Sequence, residues 1–305
     1  MITPTPLLRG NRVGIVAPAG AFAPEKIAPA LERLTLEGWE PVLGKSLYRT
    51  EGIYAGSDAE RAADLADMLT DSSISAIFCA RGGYGSARLL PLLERITPSH
   101  PKWIVGFSDI TVLHRFVAKA WNWESLHGSL LVNLHSSSAD SHRSFAAMCS
   151  VLRTGDNRFS FPALPIDSSS GMEGELVGGN LSVLYSLRGT RYDLNHLQGK
   201  ILFIEEIGEY SYHLDRMLQN FMLGNLFQGL SGILVGNFSD MKEGNTPYGK
   251  SVTAILQEAF SKLDCPVIYG FPGGHEPLNM PLVMGRRVVV EMVNGEWLMR
   301  EAQML

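Results

Sequence analysis

The stretch Trp103-Ile104-Val105-Gly106-Phe107-Ser108-Asp109-Ile110-Thr111 decides how the chain folds. A short apolar run reads as a buried strand, then comes a glycine, then a lone serine, then an amphipathic helix to about Trp121. A serine where a strand turns sharply into a helix has its hydroxyl raised above the sheet, at the positive end of the helix dipole. That is the placement of a nucleophile. It is also the placement of an N-cap, with Ser108 or Asp109 satisfying the first helical amides. The Gly-x-Ser-x-Gly pattern of a nucleophile elbow is interrupted, because Ile110 stands where the second glycine would fall.

Working outward, the same strand–turn–helix unit recurs. Arg12 to Pro18 is an apolar strand, followed by a helix from about Glu25 to Glu37 that Gly38 closes. Glu40 to Leu43 begins a second strand, and Asp58 to Leu69 is a helix whose buried stripe is Ala62, Leu65 and Leu69. Ile74 to Ala80 is a third strand, and the glycine turn Arg81-Gly82-Gly83-Tyr84-Gly85 leads into a helix from Ser86 to Leu93. Strands alternating with helices at this spacing predict an α/β fold, a parallel sheet with helices on both faces. Ligands bind such sheets beyond the carboxyl ends of the strands, where both the glycine turn and Ser108 fall.

The composition bounds what such a protein does. With 305 residues, the chain suits two domains of ordinary size. A formal charge of −5 without any Lys/Arg cluster argues against nucleic acid or an anionic membrane as the main partner. No apolar run approaches the ~18–20 residues of a membrane span, and the N-terminus lacks the pattern of a secretory signal. Cys79, Cys149 and Cys265 are far apart and fit reduced thiols in a cytoplasmic protein rather than a disulfide framework or a zinc site.

Residues 154–176 change character: turn residues and prolines without helical period read as a linker. This predicts an N-terminal α/β domain over 1–153 and a C-terminal domain over 177–305. In the latter, Lys200 to Glu206 is an apolar strand that runs into two acids, and helices are expected over Leu181–Leu187, His213–Phe227 and Ser251–Leu263. Asn294-Gly295, between two strand-like runs, signals a hairpin.

Three features fall at strand tips: the glycine turn, Glu205/Glu206, and Gly273-Gly274-His275. The turn can aim backbone N–H groups at an anion, or be only a tight turn. Its spacing is neither that of a P-loop nor that of a dinucleotide site. An acid ending a central apolar strand is costly to bury without a partner, whereas one ending a peripheral strand is simply solvated. His275 by itself is a loop residue or a base. Jointly, Ser108, Glu205 and His275 supply a nucleophile, a carboxylate orienter and a general base. No His-x-x-x-His or His/Cys cluster suggests a metal.

These residues resemble a known family, the serine LD-carboxypeptidases that act as muramoyltetrapeptide carboxypeptidases, with the related microcin C immunity hydrolases. The resemblance runs through Val13–Pro18, Tyr54–Arg61, Ala80–Leu90, Gly106–Thr111, Gly178-Gly179-Asn180-Leu181 and Gly273-Gly274-His275. It implies that Ser108 is the nucleophile, Glu205 the acid and His275 the base, with Gly83 and Asp109 amides as the oxyanion hole. Of the acid pair, the first member is the catalytic one in the family, which leaves Glu206 as the competitor. Arg81, Gly82 and Tyr84 would contact substrate, and Arg81 or Arg88 would hold its free carboxylate. The family fold pairs an N-terminal parallel-sheet α/β domain with a smaller, β-rich C-terminal α/β domain, commonly as a homodimer without metal or organic cofactor. One departure is visible, Ser129 after His127-Gly128, where the family often carries proline. The implied reaction removes the terminal D-alanine from murein tetrapeptides by cutting an L,D bond, as in cell-wall recycling. The alternatives are an immunity-type hydrolase of peptidyl or aminoacyl adenylates and a non-catalytic binder of small anions.

Overall fold

A computed structural model describes residues 1–135 and 138–302. Contacts divide it into two units, the first of 1–156 with 277–285, the second of 157–276 with 286–305.

In the first unit, β1 (Arg12–Val16), β2 (Glu40–Leu43), β3 (Ile74–Cys79), β4 (Trp103–Gly106) and β5 (Ser125–His127) pair in parallel. Every residue of β4 is buried, as expected of a strand with helices over both faces. The connecting helices are α1 (Ala28–Leu36), α2 (Asp58–Thr70), α3 (Leu90–Leu93) and α4 (Thr111–Trp121), with α5 (Ala139–Thr154) after β5. Two of them start later than the sequence predicts. Pro24–Ile27 and Ser86–Leu89 are 3-10 turns that precede α1 and α3. Pro29 and Pro91 sit in the first turns of the α-helices and lack the N–H that would extend the i→i−4 ladder backward. The core runs from Val13 and Ile15 through Phe78, Trp103 and Val105 to Leu126, with Met148 and Leu152 of α5 against it.

The second unit begins inside the stretch expected to be a linker, and the structure corrects that expectation. Phe159–Pro162 is β6, and β7 (Met172–Asn180) starts before residue 177. Phe161 is 1% exposed, so this segment is part of a core rather than a tether. After α6 (Leu181–Ser186) come β8 (Lys200–Ile207), α7 (Ser211–Leu223), β9 (Gly232–Ser239), α8 (Val252–Phe260) and β10 (Val267–Ile268). Strands β7 to β10 are parallel neighbours, and α6, α7 and α8 pack on them through Leu184, Leu214, Met217, Phe221 and Leu256.

The chain then returns to the first unit, where Leu282–Met284 forms β11 antiparallel to β5 and completes a six-stranded sheet, β11-β5-β4-β3-β1-β2. Finally β12 (Arg287–Val293) and β13 (Glu296–Glu301) make the hairpin that Asn294-Gly295 predicts, with Asn294 at φ 53°. The hairpin lies between β7 and β6 in a seven-stranded sheet, β10-β9-β8-β7-β12-β13-β6. Among the described residues no helix is long and apolar enough to cross a membrane.

Candidate active site

In the first unit, Ser108 lies directly beyond β4 with φ at 63°, the left-handed region that a residue with a Cβ rarely occupies. Such backbone costs ~1–3 kcal/mol and persists only where the surroundings dictate it. The 3-10 turn Ser108–Ile110 that leads into α4 has no side-chain cap. Ser108 is therefore not spent as a helix cap.

Asp109 does not cap the helix either. Its Oδ2 accepts from the Ser86 amide at 2.8 Å, at the far end of the glycine turn that follows β3. Burial pushes the Asp109 carboxyl above its ordinary range, partly offset by that hydrogen bond and by the Arg61 charge. Gly82 comes against the serine: a Cβ on it would lie 3.1 Å from the Ser108 Cβ and 3.2 Å from its Oγ. Its carbonyl accepts from the Gly20 amide at 3.0 Å, which ties the turn to the loop after β1. Gly83 follows with φ at 103°.

Arg61 braces the turn from below and is the residue that sequence reasoning passed over. Its guanidinium, 0% exposed, donates to the carbonyls of Gly56, Pro18 and Gly85 and pairs with Asp58. A signal existed, since Arg61 precedes Leu65 by four and Leu69 by eight and so shares the buried stripe of α2. An arginine there must find acceptors or unfold the face. The two arginines considered for a substrate carboxylate differ. Arg88 Nε donates to both oxygens of Asp58 at 2.9 Å, whereas Arg81 reaches only the Ala21 carbonyl and meets no carboxylate among the described residues. Tyr84 is 53% exposed, 6.0 Å from the Tyr54 ring.

In the second unit, Glu205 and His275 meet. His275 Nδ1 lies 2.8 Å from Glu205 Oε2, and the carboxylate is 0% exposed. An ionised carboxylate only accepts, so Nδ1 carries the proton and the basic lone pair of the neutral ring is on Nε2. Two bonds flank the histidine and fasten its loop to β9: the Asn237 amide donates to Gly273 O at 2.8 Å, and Ser239 Oγ donates to Glu276 Oε1 at 2.6 Å. Gly274, at φ 130°, is required by close approach as well, for a Cβ there would lie 3.0 Å from Glu205 Oε2.

The acid pair divides its work. Glu206 accepts from Asn180 Nδ2 and the Ile207 amide at 2.9 Å each, and from the Ser182 amide at 2.6 Å. It thus fastens the first turn of α6, where Asn180 is the N-cap. Adjacent residues on a strand face opposite ways, and here the β8–β9 register also slips between Ile204 and Glu206. The extra residue of this irregularity lies in β9, between Val235 and Phe238. Burial raises the Glu206 carboxyl above its ordinary range. Among the described residues no group of three His, Cys, Asp or Glu side chains is placed to hold a metal ion.

The chain is similar to known proteins over most of its length. Residues 13–128 match the LD-carboxypeptidase N-terminal domain and residues 173–290 the LD-carboxypeptidase C-terminal domain. A Bacillus subtilis protein named "Probable murein peptide carboxypeptidase" is 32% identical over 294 residues, 94% of this chain and 91% of the relative. The Pseudomonas aeruginosa "Murein tetrapeptide carboxypeptidase" is 30% identical over 304 residues, 94% of this chain and 95% of the relative. The solved structure of the microcin C7 self immunity protein MccF, as an inactive mutant in the apo state, superposes with a TM-score of 0.87 over 99% of both chains. At 21% identity that last likeness speaks to the fold alone. With both domain matches and two full-length relatives in agreement, the chain belongs to the LD-carboxypeptidase family of peptidases.

Proposed function

We propose that the protein is a serine LD-carboxypeptidase that removes the terminal D-alanine from murein tetrapeptides. The observation that carries this reading is Ser108 in a left-handed backbone at the head of β4, against the glycine turn and without a capping role. The Glu205–His275 hydrogen bond and the names of the full-length relatives support it.

A serine hydroxyl is a poor nucleophile at neutral pH. His275 Nε2 takes its proton as Oγ attacks the carbonyl of the L-centre, and Glu205 holds the ring tautomer and stabilises the imidazolium. The Gly83 and Asp109 amides receive the developing oxyanion, an interaction worth ~3–4 kcal/mol per donor. The imidazolium then gives its proton to the D-alanine amine, which leaves. Water attacks the acyl-enzyme with His275 again as base, and Ser108 recovers its proton. Arg81 rather than Arg88 holds the free carboxylate of D-alanine, because Arg88 is already engaged with both oxygens of Asp58. Gly82 and Tyr84 complete the contact with substrate. Three free cysteines fit a reducing cytoplasm, and a homodimer is the expected assembly, checked by light scattering.

The test is incubation of purified protein with murein tetrapeptide in the presence of EDTA, with free D-alanine as the readout. Release by the wild type and none by Ser108→Ala is expected. Full activity in Ser108→Ala sinks the mechanism, and hydrolysis of a peptidyl-adenylate analogue without any of the tetrapeptide moves the substrate to the immunity-type class.

A further inference from the structure

Ser108 keeps its left-handed backbone only if the chain on either side is fixed, and the carbonyl of Gly106, two residues earlier, is where that fixing concentrates. It accepts two hydrogen bonds, from the Gly128 amide at 3.1 Å and from His114 Nε2 at 2.9 Å. His114 is on α4, the helix that Ser108 starts, so its ring reaches back over the turn to the strand the chain has just left. Strand end, serine and helix are thereby closed into one hydrogen-bonded loop.

The chemistry of the ring is fixed by its partners. A carbonyl only accepts, so Nε2 carries the proton, and Nδ1 takes the Ser125 hydroxyl at 2.9 Å. Ser125 begins β5, the strand that also supplies the Gly128 amide just beyond its end. His114 is 2% exposed, and burial holds its imidazole down to about 4. The ring therefore stays neutral at physiological pH, keeping one donor and one acceptor. The imidazole of His127 lies 6.2 Å away and packs edge-on to Phe107 at 5.7 Å, so the residue between Gly106 and Ser108 is also held from β5.

We propose that His114 is a positioning residue for the nucleophile: its Nε2–H holds the Gly106 carbonyl and, through it, the backbone that aims Ser108 Oγ. The inference rests on Ser108 being the nucleophile. It assigns His114 no contact with substrate and no proton transfer.

The test uses the full chain with His114→Leu, which keeps bulk and removes the donor, and His114→Gln, whose Nε2 amide reaches the same carbonyl. The first readout is the rate constant for covalent labelling of Ser108 by a fluorophosphonate, with thermal melting as the check on folding. His114→Leu is expected to label at least ~10-fold more slowly, since small misplacements of a reacting group are costly in rate. On murein tetrapeptide the same variant lowers kcat and leaves KM within about twofold, and His114→Gln recovers most of both losses. Should His114→Leu fail to fold, Ser125→Ala keeps the ring but removes the hydroxyl that orients it, and a ~2–5-fold loss in labelling rate is expected. A folded His114→Leu that labels as fast as wild type overturns the proposal, as does a folded His114→Gln as slow as the leucine variant, or Ser125→Ala at the wild-type rate when His114→Leu is unfolded. A wild type that labels nowhere at Ser108 removes the nucleophile itself, a failure distinct from normal labelling by wild type and variants alike.

Discussion

In the first unit a serine is held by backbone: a left-handed φ, a glycine turn pressed against its side chain, and carbonyls bonded to His114 and Arg61. In the second unit a carboxylate and an imidazole are held by one charged hydrogen bond at a strand bulge, with a glycine beside it that leaves no room for a Cβ. The difference follows from what each group would do in the proposed reaction. A hydroxyl carries no charge through which distant groups could orient it, so its direction is set by the main chain. An acid–base pair is oriented by its own electrostatics, and the protein need only bury the acid and limit its partners.

The comparison breaks first on the groups proposed to react. Ser108→Ala and His275→Ala should each lower kcat by ~10^6-fold if they act as one unit, and the double variant should lose little more. Steady-state hydrolysis of murein tetrapeptide measures this, and additive losses would separate the serine from the histidine. Glu205→Gln, which keeps the shape but favours the wrong tautomer, should cost ~10^4-fold in kcat. Glu206→Gln is the contrast. One of its atoms becomes an amide facing N–H donors, so it should cost ~1–3 kcal/mol of stability in chemical denaturation while kcat stays near wild type. A reversed pattern would make Glu206 the acid.

The glycines sharpen the same comparison at smaller scale. Gly82→Ala pushes directly on the Ser108 side chain and should lower the labelling rate of Ser108 by ~10^2-fold, without moving the His275 ring resonances in NMR. Gly274→Ala should displace His275 from Glu205 and move those resonances, leaving the backbone of the serine turn untouched. Effects of either variant on both readouts would mean that the two devices are not independent.

How much of this was legible depends on range. The parallel strands, the Asn294-Gly295 hairpin and the position of Ser108 just past β4 follow from local periodicity and turn residues, whereas β8 runs on through Glu205 and Glu206 to Ile207. The pairing of Phe159–Pro162 with β13 does not, because a strand of four residues with a proline looks like a turn until its partner, more than a hundred residues on, is known. The return of Leu282–Met284 to β5 is hidden for the same reason. The destinations of side chains were the least visible. Asp109 reads as a cap because the nearest amides in sequence are helical, yet it bonds to Ser86 across the turn. Glu205 and Glu206 look alike until the side-to-side alternation of β8 sends them to different partners.

The smallest expected effect concerns that pair and the dependence of stability on pH. Burial raises the Glu206 carboxyl above its ordinary 4.5, outweighing the hydrogen bonds that favour the ionised form. With the folded pKa above the unfolded one, the native state holds more protons between the two values, and stability falls as pH rises through that window. The full contribution is present below about 4.5 and is gone above the folded pKa. Glu206→Gln cannot titrate, so the stability of wild type minus that of the variant should shrink as pH rises from about 4 to about 8. The Asp109 carboxyl, raised in the same sense, is common to both proteins and cancels in the difference. Denaturant melts of the two proteins across this range measure it. A difference that grows with pH would mean that the hydrogen bonds from Asn180, Ser182 and Ile207 outweigh burial, and that Glu206 is held by the charge it carries.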